Sequence, residues 1–185
     1  MTKPYVIGVA GGSAGGKSTF TDALAAALDK LHLLVLHMDS YFKPSEQRPY
    51  STAPITDKKY IDDNHPLTMD LPKLAIDLDN AISQNQYDVI IVEGLLTLWD
   101  DDICGKLDLK LFVECRADER IVRRIKRNME WGQTLDQISD VYLDLVRYRH
   151  DEYVEASKWR ADIILNGSNP SDKALAIITQ YIKNH

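Results

Sequence analysis

Residues 11 to 18 read Gly-Gly-Ser-Ala-Gly-Gly-Lys-Ser, and within them Gly11, Gly16, Lys17 and Ser18 meet the spacing G-x-x-x-x-G-K-[ST]. The glycines at 11, 12, 15 and 16 leave no side chain between the backbone N–H groups and an approaching anion. The stretch Gly11-Gly12-Ser13-Ala14-Gly15-Gly16 can therefore close as a nest of donors around phosphate oxygens, with Lys17 neutralising the β- and γ-phosphates. Ser18 offers a hydroxyl to a Mg²⁺ shell otherwise made of water and phosphate oxygens, and Thr19 ends the binding stretch. A glycine turn that merely matched the pattern would lack the right flanks. Here Tyr5 to Val9 is a short, branched apolar run and Phe20 to Leu31 is rich in Ala and Leu at helical spacing. Strand, loop and helix then follow in order, and the positive end of the helix faces the anion.

Two carboxylates stand where such a loop would use them. Leu33 to His37 is a second apolar run, ending in Met38-Asp39-Ser40. In an open parallel sheet ligands gather at the carboxyl ends of the strands, so Asp39 emerges on the edge that carries the phosphate loop. A carboxylate there can accept a substrate hydroxyl proton or orient a metal-bound water; an Asp-Ser turn cap is the plainer alternative. Asp88 to Gly94 is an apolar strand with Glu93 near its end, the form of a Walker B strand, in which Glu93 holds Mg²⁺ directly or through water. Arg120, Arg124 and Arg127 share one face of a helix expected from Ala117 to Met129. That face reads either as a solvated surface or as a clamp on the transferring phosphate, and Arg124 and Arg127 are read as the clamp.

Positioning these groups requires strands alternating with helices. Leu71 to Gln84 is amphipathic, with Leu71, Leu74, Leu78 and Ile82 along one face. Leu107 to Val113 is a fourth strand and Asp162 to Leu165 a fifth. The fifth leads into Asn166-Gly167-Ser168-Asn169-Pro170, a candidate adenine contact, and a last helix. Glu130-Trp131-Gly132-Gln133 makes the turn of a helical lid spanning about residues 124–137, and Thr134 to Trp159 resumes helix with Thr134 and Gln137 in capping-box spacing. Trp131, Tyr142, Tyr148 and Trp159 are nucleobase platforms or core. Residues 44–66 are proline-rich and polar without periodicity, a long loop. Within it Asp62-Asp63-Asn64-His65-Pro66 either supplies hydrogen-bonding groups to a polyol or forms a solvated acidic turn. The order implies the α/β class: a three-layer α/β/α P-loop domain with a five-stranded parallel sheet and a helical lid, one domain over 1–185.

Composition narrows the partners. At 185 residues the chain suits one domain able to bury roughly 70% of its unfolded surface. A net charge of -6 argues against a general basic surface for nucleic acid, so anions must be held by a local site. No apolar leader or long uncharged apolar segment is seen, so neither a signal peptide nor a membrane partner is expected. Cys104 and Cys115 lack metal-ligand spacing and suit a reduced, cytoplasmic compartment.

The chain resembles the uridine kinase and phosphoribulokinase group of P-loop kinases. The resembling stretches are Ile7 to Ser18, Asp39-Ser-Tyr-Phe-Lys-Pro44, His65-Pro66 with Met69-Asp70, Val92-Glu-Gly94, Arg123-Arg-Ile-Lys-Arg127 and Ser157-Lys-Trp-Arg-Ala-Asp162. The resemblance implies an ATP- and Mg²⁺-dependent phosphotransferase with a small-molecule hydroxyl acceptor. Asp39 would be the general base, Arg124 and Arg127 the lid residues, and Tyr41, Asn64 and His65 would lie on the acceptor side. Tyr148-Arg149 ahead of Asp151-Glu152 is similar to a stretch in nicotinamide riboside kinases, which makes Arg149 a second candidate for a phosphate contact on the substrate side. Members of the group often assemble as homo-oligomers.

Four departures fall on acceptor recognition and the lid. Asn64 stands where uridine kinases usually carry an aspartate, and residues 70–89 are too few for their pyrimidine-reading β-hairpin. Trp131 and Gln133 replace the usual lid-turn arginines, and Ala156 replaces a proline. A nucleoside or ribosyl compound is the expected acceptor; a nucleotide-binding regulatory ATPase without a small acceptor is the alternative.

Overall fold

The computed structural model describes residues 3–185. Its strands are β1 (Tyr5–Gly11), β2 (Leu33–His37), β3 (Tyr50–Thr52), β4 (Lys59–Ile61), β5 (Val89–Glu93), β6 (Leu109–Glu114) and β7 (Ile163–Asn166). Five of them form one parallel sheet in the order β2-β5-β1-β6-β7, with β1 hydrogen-bonded on both sides. Such a strand is buried on both faces, which is why Val6, Ile7, Val9 and Ala10 are wholly shielded from solvent. Successive side chains enter opposite layers. Ile7 and Val9 pack with Leu24 and Leu28 of the first helical segment and with Ile178 and Ile182 near the C-terminus. Val6 and Ala10 join Leu74, Leu78, Phe112 and Val154 on the other face.

The helices are α1 (Lys17–Ala27), α2 (Leu71–Gln84), α3 (Asp101–Cys104), α4 (Ala117–Glu130), α5 (Leu135–Val141), α6 (Arg147–Arg149) and α7 (Asp172–Lys183). The long helix after the lid turn is not uniform. Between α5 and α6 it runs as a π-helix over Tyr142–Val146, and after α6 as a second over His150–Glu155. The three-layer α/β/α arrangement expected from the sequence is the arrangement found.

Boundaries moved where local pairing outweighs periodicity. Strand β1 runs on to Gly11 because Gly11 still pairs with Val113 of β6. Helix α1 starts at Lys17 rather than Phe20: Gly16 takes φ 99°, a conformation costly for other residues, and its carbonyl accepts from Phe20 N at 3.0 Å. Lys17 and Ser18 thus belong to the first helical turn. Residues 44–66, expected as irregular loop, contain the antiparallel hairpin β3–β4. Three-residue strands are too short to show alternation, and this pair is held by contacts to residues more than eighty positions away.

Candidate active site

The phosphate loop closes on itself before any ligand is considered. Gly15 N donates to Gly12 O at 3.0 Å, and Lys17 Nζ reaches back to the same carbonyl at 3.3 Å. Ala14 takes φ 60°, a left-handed value that the surrounding loop must impose. Gly12 is crowded from another side. A Cβ there would lie 2.6 Å from Arg120 Nη1 and 3.0 Å from His150 Cε1, so this backbone is covered by two side chains arriving from the far layer.

The sheet then brings the carboxylates in. Parallel pairing sets Glu93 beside Val9 on one side and His37 on the other, so its side chain emerges next to the loop. Ser18 Oγ donates to Glu93 Oε1 at 3.4 Å, and Lys17 Nζ lies 3.9 Å from the same oxygen. Asp39 sits in the 3₁₀ turn Met38–Tyr41 that follows β2. Burial pushes the Lys17 ammonium below its ordinary value, against the opposing influence of Glu93 and Asp39, while Arg127 and Arg120 push it further down. Asp39 is therefore within electrostatic reach of Lys17, and of Arg127, whose guanidinium it also favours in charged form against burial.

Helix α4 lays its arginines over the loop. Arg124 Nη1 and Arg127 Nη2 donate to Ser13 Oγ at 3.4 and 3.3 Å. Trp131, at the lid turn, stacks under Arg127 with the guanidinium carbon 4.8 Å from a ring centroid. Thr134 and Gln137 form the expected capping box at the start of α5, which fixes where the lid turns back. Arg124 Nε is buried without a hydrogen-bond partner. An orphaned guanidinium donor over a cradle of backbone amides fits an anion such as a phosphate. Ser18 and Glu93 present two hard oxygens 3.4 Å apart beside that cradle, the donor chemistry Mg²⁺ takes when waters and phosphate oxygens complete its shell.

On the acceptor side the sequence expectations divide. Asn64 is buried and lines a narrow cleft with Ser13, Leu95, Arg124, Tyr142 and His150, between the loop of residues 44–66 and the phosphate loop. Tyr41, expected to contact substrate, donates its hydroxyl to Asp77 of α2 at 2.9 Å, and its ring packs on the core. His65 serves its own turn, with Nδ1 accepting from Leu67 N at 3.1 Å. Arg149, the second candidate for a phosphate contact, is engaged within the protein. Its Nε donates to Asp62 Oδ2 at 2.7 Å and Nη2 to Ser51 Oγ at 3.0 Å, and Glu152 takes Nη1. The reason is charge: the fully buried Asp62 competes for the nearest cation. The Asp62-Asp63 stretch is thus neither a free polyol site nor a solvated turn at Asp62.

The loop after β7, the candidate adenine contact, lies beside the phosphate loop, where a Cβ added at Gly167 would meet Gly15 O. Gly167 O accepts from Arg123 Nη1 at 3.0 Å, and Asn166 Oδ1 accepts from the backbone N–H groups of Ser168 and Asn169. Among the four aromatic candidates, Tyr142 lines the cleft and Trp131 the lid, while Trp159 is 81% exposed.

The profile of the Phosphoribulokinase / Uridine kinase family matches residues 74–173. A uridine kinase from Bacillus thuringiensis (strain Al Hakam) is 34% identical over 203 aligned positions, covering 97% of this chain and 93% of that protein. The chain belongs to the phosphoribulokinase/uridine kinase family. A uridine kinase from Bacillus cereus (strain B4264) matches to the same extent. Among solved structures, a putative fructose transport system kinase from Silicibacter sp. TM1040 shares the fold at TM-score 0.67 and 19% identity, covering 89% of this chain and 90% of that one. A possible uridine kinase from Bacillus stearothermophilus does so at 0.58 and 16%, covering 89% of each.

Two residues at the site, His37 and His150, were given no role by the sequence reading, because neither carries a local signal. Arg120 was placed on the arginine face by its helical phase with Arg124 and Arg127, but without a role of its own.

Proposed function

We propose that the protein is a Mg²⁺-ATP-dependent kinase that phosphorylates a hydroxyl of a small metabolite, a nucleoside or a ribosyl compound. The observation that carries this reading is the meeting of Lys17, Ser18, Glu93, Asp39 and Arg127 at the carboxyl edge of the sheet. A cradle that only binds nucleotide has no use for an acceptor-side carboxylate. Asp39 takes the proton from the attacking hydroxyl, with Asn64 on the acceptor side. Lys17, Arg124 and Arg127 hold negative charge on the transferring group, and their burial strengthens that attraction by excluding water. Ser18 and Glu93 would hold Mg²⁺, which when bound would supply further neutralisation of phosphate charge.

Asp39→Asn tests the assignment. Removing the base is expected to lower kcat about 10²- to 10⁴-fold while ATP affinity stays within a few-fold. Normal turnover in that variant would show the base to be elsewhere. Incubation with ATP and a panel of nucleosides, pantothenate-like alcohols and sugar phosphates then identifies the acceptor by acceptor-dependent ADP release. ADP release indifferent to every acceptor would instead favour a regulatory ATPase, the reading supported by the replacement of lid arginines at Trp131 and Gln133.

A further inference from the structure

Among the polar contacts of the site, one belongs to neither the phosphate loop nor the lid. His37 Nδ1 lies 3.1 Å from Glu93 Oε2, the carboxylate oxygen that faces away from Ser18 and Lys17. The two residues are direct Cα partners in the parallel pairing of β2 with β5, so their side chains leave the sheet on the same face and are neighbours by register. The environments differ sharply: the Glu93 side chain is 7% exposed and that of His37 is 45% exposed. An ionised carboxylate only accepts, so in this contact Nδ1 is the donor.

We propose that His37 is a positioning residue for the metal-binding carboxylate. By occupying Oε2 it fixes the rotation of the Glu93 carboxyl group and presents Oε1 toward Ser18, where the metal shell forms. Without it the carboxyl group is free to turn, and Lys17, 3.9 Å away, can draw either oxygen. The cost of holding the ligand oriented would then fall on the metal. Outer-shell partners of metal-binding groups act in this way and are typically worth 10- to 100-fold in metal affinity. Since His37 lies two residues before Asp39, the same contact also ties the strand that carries the base to the strand that carries the metal ligand.

The inference rests on the reading of Glu93 as a metal ligand, and the experiment separates the two. Binding of Mn²⁺ to the protein in the presence of ADP is followed by the loss of the free Mn²⁺ electron paramagnetic resonance signal, for the parent chain and for His37→Phe, His37→Asn and Glu93→Gln. Binding of ATP in excess EDTA is measured on the same preparations and reports an intact cradle. His37→Phe is expected to weaken Mn²⁺ about 10-fold while metal-free ATP binding stays within twofold. His37→Asn carries an amide N–H where Nδ1 was, and is expected to recover Mn²⁺ affinity to within about threefold. Parent-like Mn²⁺ affinity in His37→Phe overturns the inference, as does His37→Asn behaving no better than His37→Phe. Loss of metal-free ATP binding in His37→Phe also overturns it, since His37 would then be a general prop. If Glu93→Gln itself binds Mn²⁺ like the parent, the metal reading of Glu93 falls; if Glu93→Gln is impaired and His37→Phe is not, only the role of His37 falls.

Discussion

Replacing Arg149 by Met should cost this protein about 3 kcal/mol, because it strands a carboxylate that cannot reach water. Asp62 is wholly buried, and three groups serve its side chain: Arg149 Nε and Ser51 Oγ, each 2.7 Å from Oδ2, and Asn64 N, 3.2 Å from Oδ1. Met keeps most of the packing volume and removes only the charge. Ser51 and the Asn64 amide still donate to it, which keeps the cost at the low end of what breaking a buried pair costs. Urea unfolding followed by circular dichroism at pH 7 measures it, with an unchanged slope m confirming the same folded state. Adding Asp62→Asn to Arg149→Met should recover part of the loss, because the second change removes the stranded charge. A loss under about 1 kcal/mol for Arg149→Met would refute the argument, for it would mean that Asp62 is solvated or uncharged.

Two further outcomes follow from the site. Burial, reinforced by the charge of Arg120, pushes His150 down to about 4 from 6.5, so the unfolded chain binds the proton first and stability is lost as pH falls between those values. Between pH 7 and 4.5 this one group should cost about 2 kcal/mol, visible as a shallower pH dependence of urea unfolding in His150→Phe than in the parent; equal slopes would contradict it. Arg127→Gln should lower kcat about 10²-fold or more, whereas Trp131→Ala, which removes only the ring beneath the guanidinium, should lower it roughly threefold. Steady-state kinetics with the identified acceptor compares the two, and a Trp131→Ala effect as large as that of Arg127→Gln would show the ring to be the dominant support.

The phosphate loop, the parallel strands and the lid arginines were legible because each is written in consecutive or regularly spaced residues. Four glycines ahead of Lys17 leave the backbone N–H groups uncovered and free to take the turns an anion cradle needs, and apolar runs leading to Asp39 and Glu93 are strands that the sheet must line up. The phase of Arg124 and Arg127 on α4 follows from helical geometry alone, and both reach Ser13 as that phase implies.

The acceptor side was different, and Arg149 shows why. An unbroken α-helix would set Asp144 and Arg149 roughly 140° apart, so no periodic reading places them on one face. The long helix instead passes through two π-helical stretches, which wind less per residue. Asp144 accepts from Thr56 and Tyr60, while Arg149 holds Asp62 and Ser51, so both grip the same hairpin. The contact between His37 and Glu93 has the same origin, since it depends on which strand lies beside which and in what register. Short-range pattern in the chain decided the phosphate chemistry; the cleft and the aim of its supporting groups were decided by winding and strand order, which are set only when distant segments compete for the same buried charge and the same backbone partners.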